Sequence, residues 1–290
     1  MSSVGAQAAG PGVAPVTRVQ APFGRRSAPV TARERHGAYV VLRCLDPDGP
    51  APQAGQFYML AAAERWGGGE GERPFLPRAF SVLRAGPDPM GRLELHFLVE
   101  DVGPGTRRLC ELDAGDRLLL VGPLGRGFAA PREGHRPVLV GGGVGIAPLA
   151  IWQDQLEGEV PALLGFRDGA RAPGSALLSG ATVATDDGSV GHHGLVTDLL
   201  VEQLEREGDS VEVYSCGPEP MLEAVRSLCA EYGTPAQLAL ESGMACGYGA
   251  CFGCVVATRE GYLRLCLEGP VLDAALLGPG GTTAPPGQPG

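Results

Sequence analysis

Four cysteines near the C-terminus constrain this chain more than any other feature. They stand as Cys246-Gly-Tyr-Gly-Ala-Cys251-Phe-Gly-Cys254, followed by Cys266 after eleven intervening residues. A C-x4-C-x2-C run with a distal fourth cysteine is the plant-type ligand spacing of a [2Fe–2S] cluster. Gly243, Gly247, Gly249 and Gly253 crowd the same loop. Wrapping a chain around a cluster needs backbone angles open chiefly to glycine, and close approach of amides to sulfide. A structural zinc knuckle is the competing reading, but it normally shows two short C-x2-4-C or H-x3-5-H pairs, and only one is present. Eight cysteines in 290 residues are too sparse for a secreted disulfide scaffold.

A chain of 290 residues has room for two domains with real cores. Charge is 33 acidic against 23 basic residues, a net of −10, and every basic residue is arginine. An acidic chain without a basic cluster argues against nucleic acid or an anionic membrane as partner. No apolar run approaches the ~20 residues of a membrane span. Met1 to Pro15 is rich in small residues and lacks a charged region before an apolar core, so it does not read as a signal peptide. Many thiols and no export signal together point to a reducing cytoplasm.

Along the chain, residues 1–15 and 279–290 are too poor in large apolar side chains to pack, and disorder is expected there. From 16 to 132 short strands alternate with turns: Tyr39–Cys44, Gln56–Leu60, the strictly alternating Leu93–Val99, and Arg117–Val121. Asp-Pro, Pro-Asp-Pro and Ala-Gly-Asp turns between them predict an antiparallel β-barrel. Trp66–Glu72 reads as a flexible hairpin tip. The pattern then changes. Over 133–236, the apolar strands Pro137–Val140, Ala162–Phe166 and Val211–Ser215 alternate with helical stretches at Leu149–Leu156, Leu195–Glu207 and Pro220–Tyr232. That alternation predicts an α/β domain with a parallel sheet. Residues 237–278, with the cysteines, form a third and smaller unit.

Gly141-Gly142-Gly143-Val144-Gly145-Ile146-Ala147-Pro148 opens a helix directly after a strand. Glycines there let backbone amides approach a pyrophosphate, and the helix N-terminus adds partial positive charge. The match to G-x-G-x-x-G is imperfect, because the last position is Ile146, so an ordinary tight strand–helix turn stands beside the nucleotide reading. Cys216-Gly217-Pro218 follows a strand end, where ligands bind in open α/β sheets. Cys216 is the candidate to pack against a nicotinamide ring, the alternative being a small buried thiol. In the first domain, Arg78-Ala79-Phe80-Ser81 offers an arginine and a hydroxyl three apart, and Gly105-Thr106 offers loop amides and a hydroxyl to phosphate. Taken singly, these are equally compatible with a solvated strand face and a plain turn.

The order of these pieces resembles the ferredoxin–NADP reductase superfamily: R-x-x-S on a barrel, then Gly-Thr, then Gly122-Pro123-Leu124-Gly125-Arg126-Gly127-Phe128, the glycine loop and Cys-Gly-Pro. The run Glu241-Ser242-Gly243-Met244-Ala245-Cys246 through Cys254, ending in Cys266-Leu-Glu-Gly-Pro270-Val271, is very similar to the electron-transfer subunit of type B dihydroorotate dehydrogenase. So is Thr185-Asp186-Asp187-Gly188-Ser189, with Gly191 and Gly194 beyond it. The resemblance spans residues 16–278. It implies FAD on the barrel, NAD on the α/β domain and a [2Fe–2S] cluster held by Cys246, Cys251, Cys254 and Cys266. By the same resemblance, Arg78, Ala79, Phe80 and Ser81 match the flavin motif, Leu98, Val99 and Glu100 the flavin-ring strand, and Gly105 and Thr106 the phosphate pair. Gly142, Gly143 and Gly145 belong to the nucleotide loop. The chain departs from the family at Ala79, where proline is usual, and at Val99-Glu100, where Tyr-Arg is frequent.

The resemblance further implies a cytoplasmic electron-transfer oxidoreductase subunit of pyrimidine biosynthesis. Its catalytic partner would carry FMN and oxidise dihydroorotate to orotate, in a heterotetramer of two copies of each subunit. Electrons would pass through the cluster to FAD and leave as hydride on NAD+. The alternatives are a diaphorase-type subunit of a sulfite reductase or hydrogenase, a stand-alone flavin reductase, and a non-enzymatic zinc-binding protein. No Ser/His/Asp or Cys/His nucleophile set is visible, and His192-His193 reads as a solvated loop. Arg167 and Arg171 suit a 2′-phosphate while Asp168 beside them repels one, so the residues alone leave NAD and NADP both open.

Overall fold

The computed structural model describes residues 24–67 and 74–281. The expected disorder at 1–15 and nearly all of 279–290 therefore lies outside the described residues, as does most of the Trp66–Glu72 tip. Six strands close into an antiparallel barrel: β1 (Arg26–His36), β2 (Tyr39–Leu45), β3 (Phe57–Ala62), β4 (Arg78–Pro87), β5 (Leu93–Glu100) and β6 (Arg117–Leu124). Their order around the barrel is β1-β2-β5-β4-β3-β6, with the short helix α1 (Pro104–Cys110) between β5 and β6. Closure leaves no free sheet edge, and alternation sends Leu95, Phe97 and Val99 of β5 into the core. Strand β1 escapes a hydrophobic-pattern search, since only Ala28 and Val30 of it are fully buried. Its polar residues are used instead. Arg26 grips Asp46 with two bonds of 2.7 and 2.6 Å and donates a third, of 2.7 Å, to the Gly122 carbonyl.

The second layer is a seven-stranded sheet built from β7 (Arg136–Gly142), α2 (Ile146–Gln155), β8 (Ala162–Phe166), β9 (Ala181–Thr185), β10 (His192–His193), α3 (Val196–Glu207), β11 (Val211–Cys216), α4 (Glu219–Tyr232) and β12 (Ala236–Ala239). The cysteine segment follows, with a small hairpin of β13 (Val255–Thr258) and β14 (Gly261–Arg264), and then β15 (Val271–Asp273). The sheet runs β10-β9-β8-β7-β11-β12-β15, parallel throughout except that β15 lies antiparallel to β12. The residue step from 236 to 237 falls inside β12, and β15, beyond the last cysteine, returns to the same sheet. The antiparallel barrel, the mainly parallel α/β sheet and the C-terminal cysteine segment are the fold class expected. His192-His193 proves to be an edge strand instead of a loop, because both residues pair with Ala184 and Thr185 of β9.

The first seven residues of helix α2, Ile146 to Trp152, are apolar all round and buried, because the helix is wedged between the barrel and the sheet. Its core cluster runs without a break from Val41 and Leu98 of the barrel to Leu149 and Leu164 of the α/β layer. Phe128 stacks on Trp152 at 5.9 Å and meets Tyr214 edge-on at 5.5 Å, so the connection between the barrel and β7 is itself packed. Polar ties add to this. The Ala38 amide donates to the Ala170 carbonyl at 2.8 Å, and Arg84 donates to Asp154 and to the Leu177 carbonyl, both at 2.8 Å.

Candidate functional site

Strand order positions the larger cleft. Strand β7 has β8 on one side and β11 on the other, and the chain winds away from it in opposite directions. Ligands of open α/β sheets bind at such a switch point, beyond the carboxyl ends of the strands. A cleft of about 460 Å³ opens there, lined by Gly142 and Gly143 after β7, by Phe166 and Arg167 at the end of β8, by Asp186 after β9, and by Pro218 and Met221 after β11. The barrel contributes Tyr39 and Glu100 to the same wall.

The glycine run has two jobs. A Cβ on Gly145 would come within 2.5 Å of the Cys216 carbonyl oxygen and the Gly217 nitrogen, and one on Gly142 within 2.6 Å of the Met221 sulfur. These two glycines permit close packing of strand end, helix and Cys-Gly-Pro turn. Gly143 differs: its φ is +54°, and the nearest atom a Cβ would meet is the Tyr39 hydroxyl, 4.0 Å away. Arg171, held as a candidate for a 2′-phosphate, is committed elsewhere. It donates to Glu100 at 2.8 Å and to Asp168 at 2.6 Å, which ties the barrel to this wall and offsets its charge. Cys216 is 2 % exposed at the end of β11, and burial drives its thiol well above the usual range. Cys216 is not among the residues that line either cleft.

A second cleft, of about 170 Å³, lies between barrel and sheet. Ala79, Phe80 and Ser81 of β4 line it with Leu98 of β5, Val144 and Ala147 at the start of α2, and Glu241, Met244 and Pro270 from the C-terminal segment. Val99, expected beside Leu98, points the other way and is fully buried in the barrel core, while Glu100 turns toward Arg171. This is the period-2 alternation of a strand: neighbours cannot face one site. Arg78 and the Gly105 turn do meet, since a Cβ on Gly105 would lie 3.0 Å from Arg78 Nε. Arg78 donates to the Leu76 carbonyl at 2.9 Å and makes no ion pair among the described residues, so its guanidinium still has donors to offer. The Thr106 hydroxyl is used locally: it accepts from the Val102 and Gly103 amides at 2.9 and 3.0 Å and donates to the Gly103 carbonyl at 3.1 Å.

Beside the smaller cleft the cysteine loop folds against the barrel. A Cβ on Gly247 would strike the Met59 side chain at 2.5 Å, and one on Gly249 would strike Leu267 at 2.4 Å, both at positive φ. Burial pushes the Cys246 thiol up, but the surrounding Cys251, Tyr248 and Ala250 amides outweigh it and bring its value down to about 6. The Cys266 thiol is pushed up to about 12 by burial and by the neighbouring Cys254. The described residues hold no group of three or more His, Cys, Asp or Glu side chains closed on one metal ion; Cys246 interacts with Cys251, and Cys266 with Cys254 and with Cys246. Thiolate donors in a glycine loop whose amides turn toward sulfur suit an anionic iron–sulfur group.

Comparison with known proteins places this architecture. Residues 241–278 match the iron–sulfur cluster binding domain of dihydroorotate dehydrogenase B. The chain is 34 % identical over 256 residues to the dihydroorotate dehydrogenase B (NAD(+)) electron transfer subunit of Caldanaerobacter subterraneus subsp. tengcongensis, covering 86 % of this chain and 97 % of that one. It belongs to that family. The counterpart from Geobacillus thermodenitrificans is 43 % identical over 235 residues, 77 % of this chain and 85 % of its own. Among solved structures, a chain of the NADH-dependent reduced ferredoxin–NADP oxidoreductase superposes with TM-score 0.71 at 25 % identity, covering 88 % of this chain and 91 % of that one. A ferredoxin NADP+ reductase from Neisseria gonorrhoeae, with bound FAD and NADP, shares the fold at TM-score 0.52 and 20 % identity, over 72 % and 92 % of the two chains.

Two cleft-lining residues, Tyr39 and Glu241, lie outside the site residues that the motifs name. Tyr39 stands in a strand as any core tyrosine would, and no sequence signal separates it. Glu241 had one, an acid directly after the buried run Ala236–Leu240 at the end of a sheet. It lines both clefts. No helix among the described residues is long and apolar enough to cross a membrane.

Proposed function

We propose that this chain is the electron-transfer subunit of an NAD-dependent dihydroorotate dehydrogenase and forms a complex with an FMN-bearing catalytic subunit, two copies of each. The observation that carries this reading is the contiguity of three sites: the cysteine loop packed on Met59, the cleft between barrel and sheet, and the cleft at the switch point, the two clefts sharing Val144 and Glu241. Cys246, Cys251, Cys254 and Cys266 hold a [2Fe–2S] cluster. FAD takes the smaller cleft, with Ala79, Phe80, Ser81 and Leu98 against its ring and Arg78 with the Gly105 turn on its phosphates. NAD takes the larger cleft, over Gly142 and Gly143, with Gly145 shaping the turn and Cys216 as the buried wall behind the junction. When bound, the cluster carries electrons singly and the flavin pairs them for hydride transfer to NAD+, which accepts only two at once.

The residues bind, orient and exclude water; none supplies a nucleophile. Leu98, Phe80 and Val144 give the smaller cleft apolar lining that would suit an aromatic ring. Arg78 suits a forked, charge-assisted contact with a pyrophosphate. Residues 16–132, 133–236 and 237–278 serve as the flavin, nucleotide and cluster units in this reading. The test is composition together with activity. Purified chain should hold about two iron, two acid-labile sulfide and one FAD, and with its catalytic partner should reduce NAD+ in the presence of dihydroorotate. Stoichiometric zinc without flavin would sink the reading.

A further inference from the structure

Tyr39 carries a group that its packing does not explain. Its ring belongs to the core: it tilts against Phe166 at 6.3 Å, and a Cβ on Gly174 would come within 2.8 Å of it. Phenylalanine would fill that space equally well. The hydroxyl is buried and has no hydrogen-bond partner among the described residues. A buried hydroxyl left unpaired destabilises the fold, so the fold keeps this oxygen at a loss. It does so at the wall of the larger cleft, where Tyr39 is a lining residue.

The position of that oxygen selects its partner. It faces Gly143, the one glycine of the run whose missing side chain leaves the space open, at the turn that starts α2. Helix starts of this kind hold phosphates. We infer that the Tyr39 hydroxyl donates a hydrogen bond to a phosphoryl oxygen of the nicotinamide dinucleotide, so that the barrel supplies one polar contact to the nucleotide site. This rests on the nucleotide reading given above and adds to it a residue from the other domain. The ring that carries the hydroxyl is confined between Phe166 and Gly174, which holds the oxygen in place. Burial, and secondarily the Glu100 carboxylate, hold the phenol far on the protonated side, so it is a donor at any working pH. Arg171 does not compete for the phosphate, since Glu100 and Asp168 occupy it.

The experiment titrates flavin-loaded wild type and Tyr39→Phe with NAD+ and with ADP-ribose, which keeps the pyrophosphate and lacks nicotinamide, by calorimetry. A lost bond to a charged acceptor should weaken both ligands by about tenfold or more, with flavin absorbance and melting temperature not reduced. Unchanged affinities overturn the inference, and so does a loss confined to NAD+, which would put the hydroxyl at the nicotinamide end. Wild-type chain that binds neither ligand overturns the nucleotide reading and takes the inference with it. Should Tyr39→Phe not fold, Gly174→Ala serves instead. Its methyl displaces the Tyr39 ring, and it should weaken both ligands in parallel; unaltered binding there counts against the inference in the same way.

Discussion

Glu241 sits where the two clefts meet, with protein on nearly every side of a carboxylate that still reaches solvent. Desolvation there raises its value above the ordinary carboxylate range. The folded chain holds this proton at a pH where the unfolded chain has released it, so stability falls as pH rises through the interval between the two values. Glu241→Gln should therefore melt higher than wild type at pH 7–8, and the difference should close as pH approaches about 4, which a melting series across pH measures. A constant difference at all pH values would mean that ionisation is not its cause. Residues at this scale were legible unequally. The iron–sulfur segment that contains Cys246, Cys251, Cys254 and Cys266 could be read from spacing because iron ligation demands spacing. The disposition of Val99, Thr106 and Arg171 could not, because strand alternation and local hydrogen bonds redirect side chains that a motif lists side by side.

At the scale of elements, the glycine turn is held from behind as much as it is open in front. Gly145 packs on the backbone of Cys216 and Gly217, at the end of β11, and backbone cannot rotate away as a side chain can. Gly145→Ala should therefore lower stability by about 1–3 kcal/mol, the range for overpacking, seen as a fall of a few degrees in melting temperature. It should also weaken NAD+ binding, since the Cys-Gly-Pro turn must shift. Gly134→Ala makes the control: its Cβ would meet nothing, though its φ of +80° carries a strain of its own. A Gly145→Ala chain as stable as wild type would show that β11 and α2 can separate without cost. The helices and buried strands were readable in advance because their apolar periods are strong, as in Leu93–Val99 and Pro137–Val140. Strand β1, with charged residues along its outer side, and the short β12 and β15 were not, since only pairing with distant segments makes them strands.

Across the whole molecule, barrel, sheet and cysteine segment share cores. Met59 and Leu124 of the barrel lie in one cluster with Cys254, Cys266 and Val140. Cys251, which is exposed, can be altered without touching that packing. Cys251→Ser should lose the cluster, because a hydroxyl is a poor and usually protonated ligand compared with thiolate. FAD content and NADH oxidation by an artificial acceptor should survive, while dihydroorotate-dependent NAD+ reduction with the partner should fall steeply. Both activities at wild-type level in a cluster-free preparation would make the cluster structural. The sequence by itself determined the iron–sulfur segment, the two-layer plan and the family, because each depends on local spacing or on period. Only the tertiary structure decided that β15 returns beyond the last cysteine to the nucleotide sheet, that Glu241 joins two clefts, and that a tyrosine of the barrel faces the glycine turn. These depend on which distant segments pack together, and no pattern within one stretch of chain encodes that.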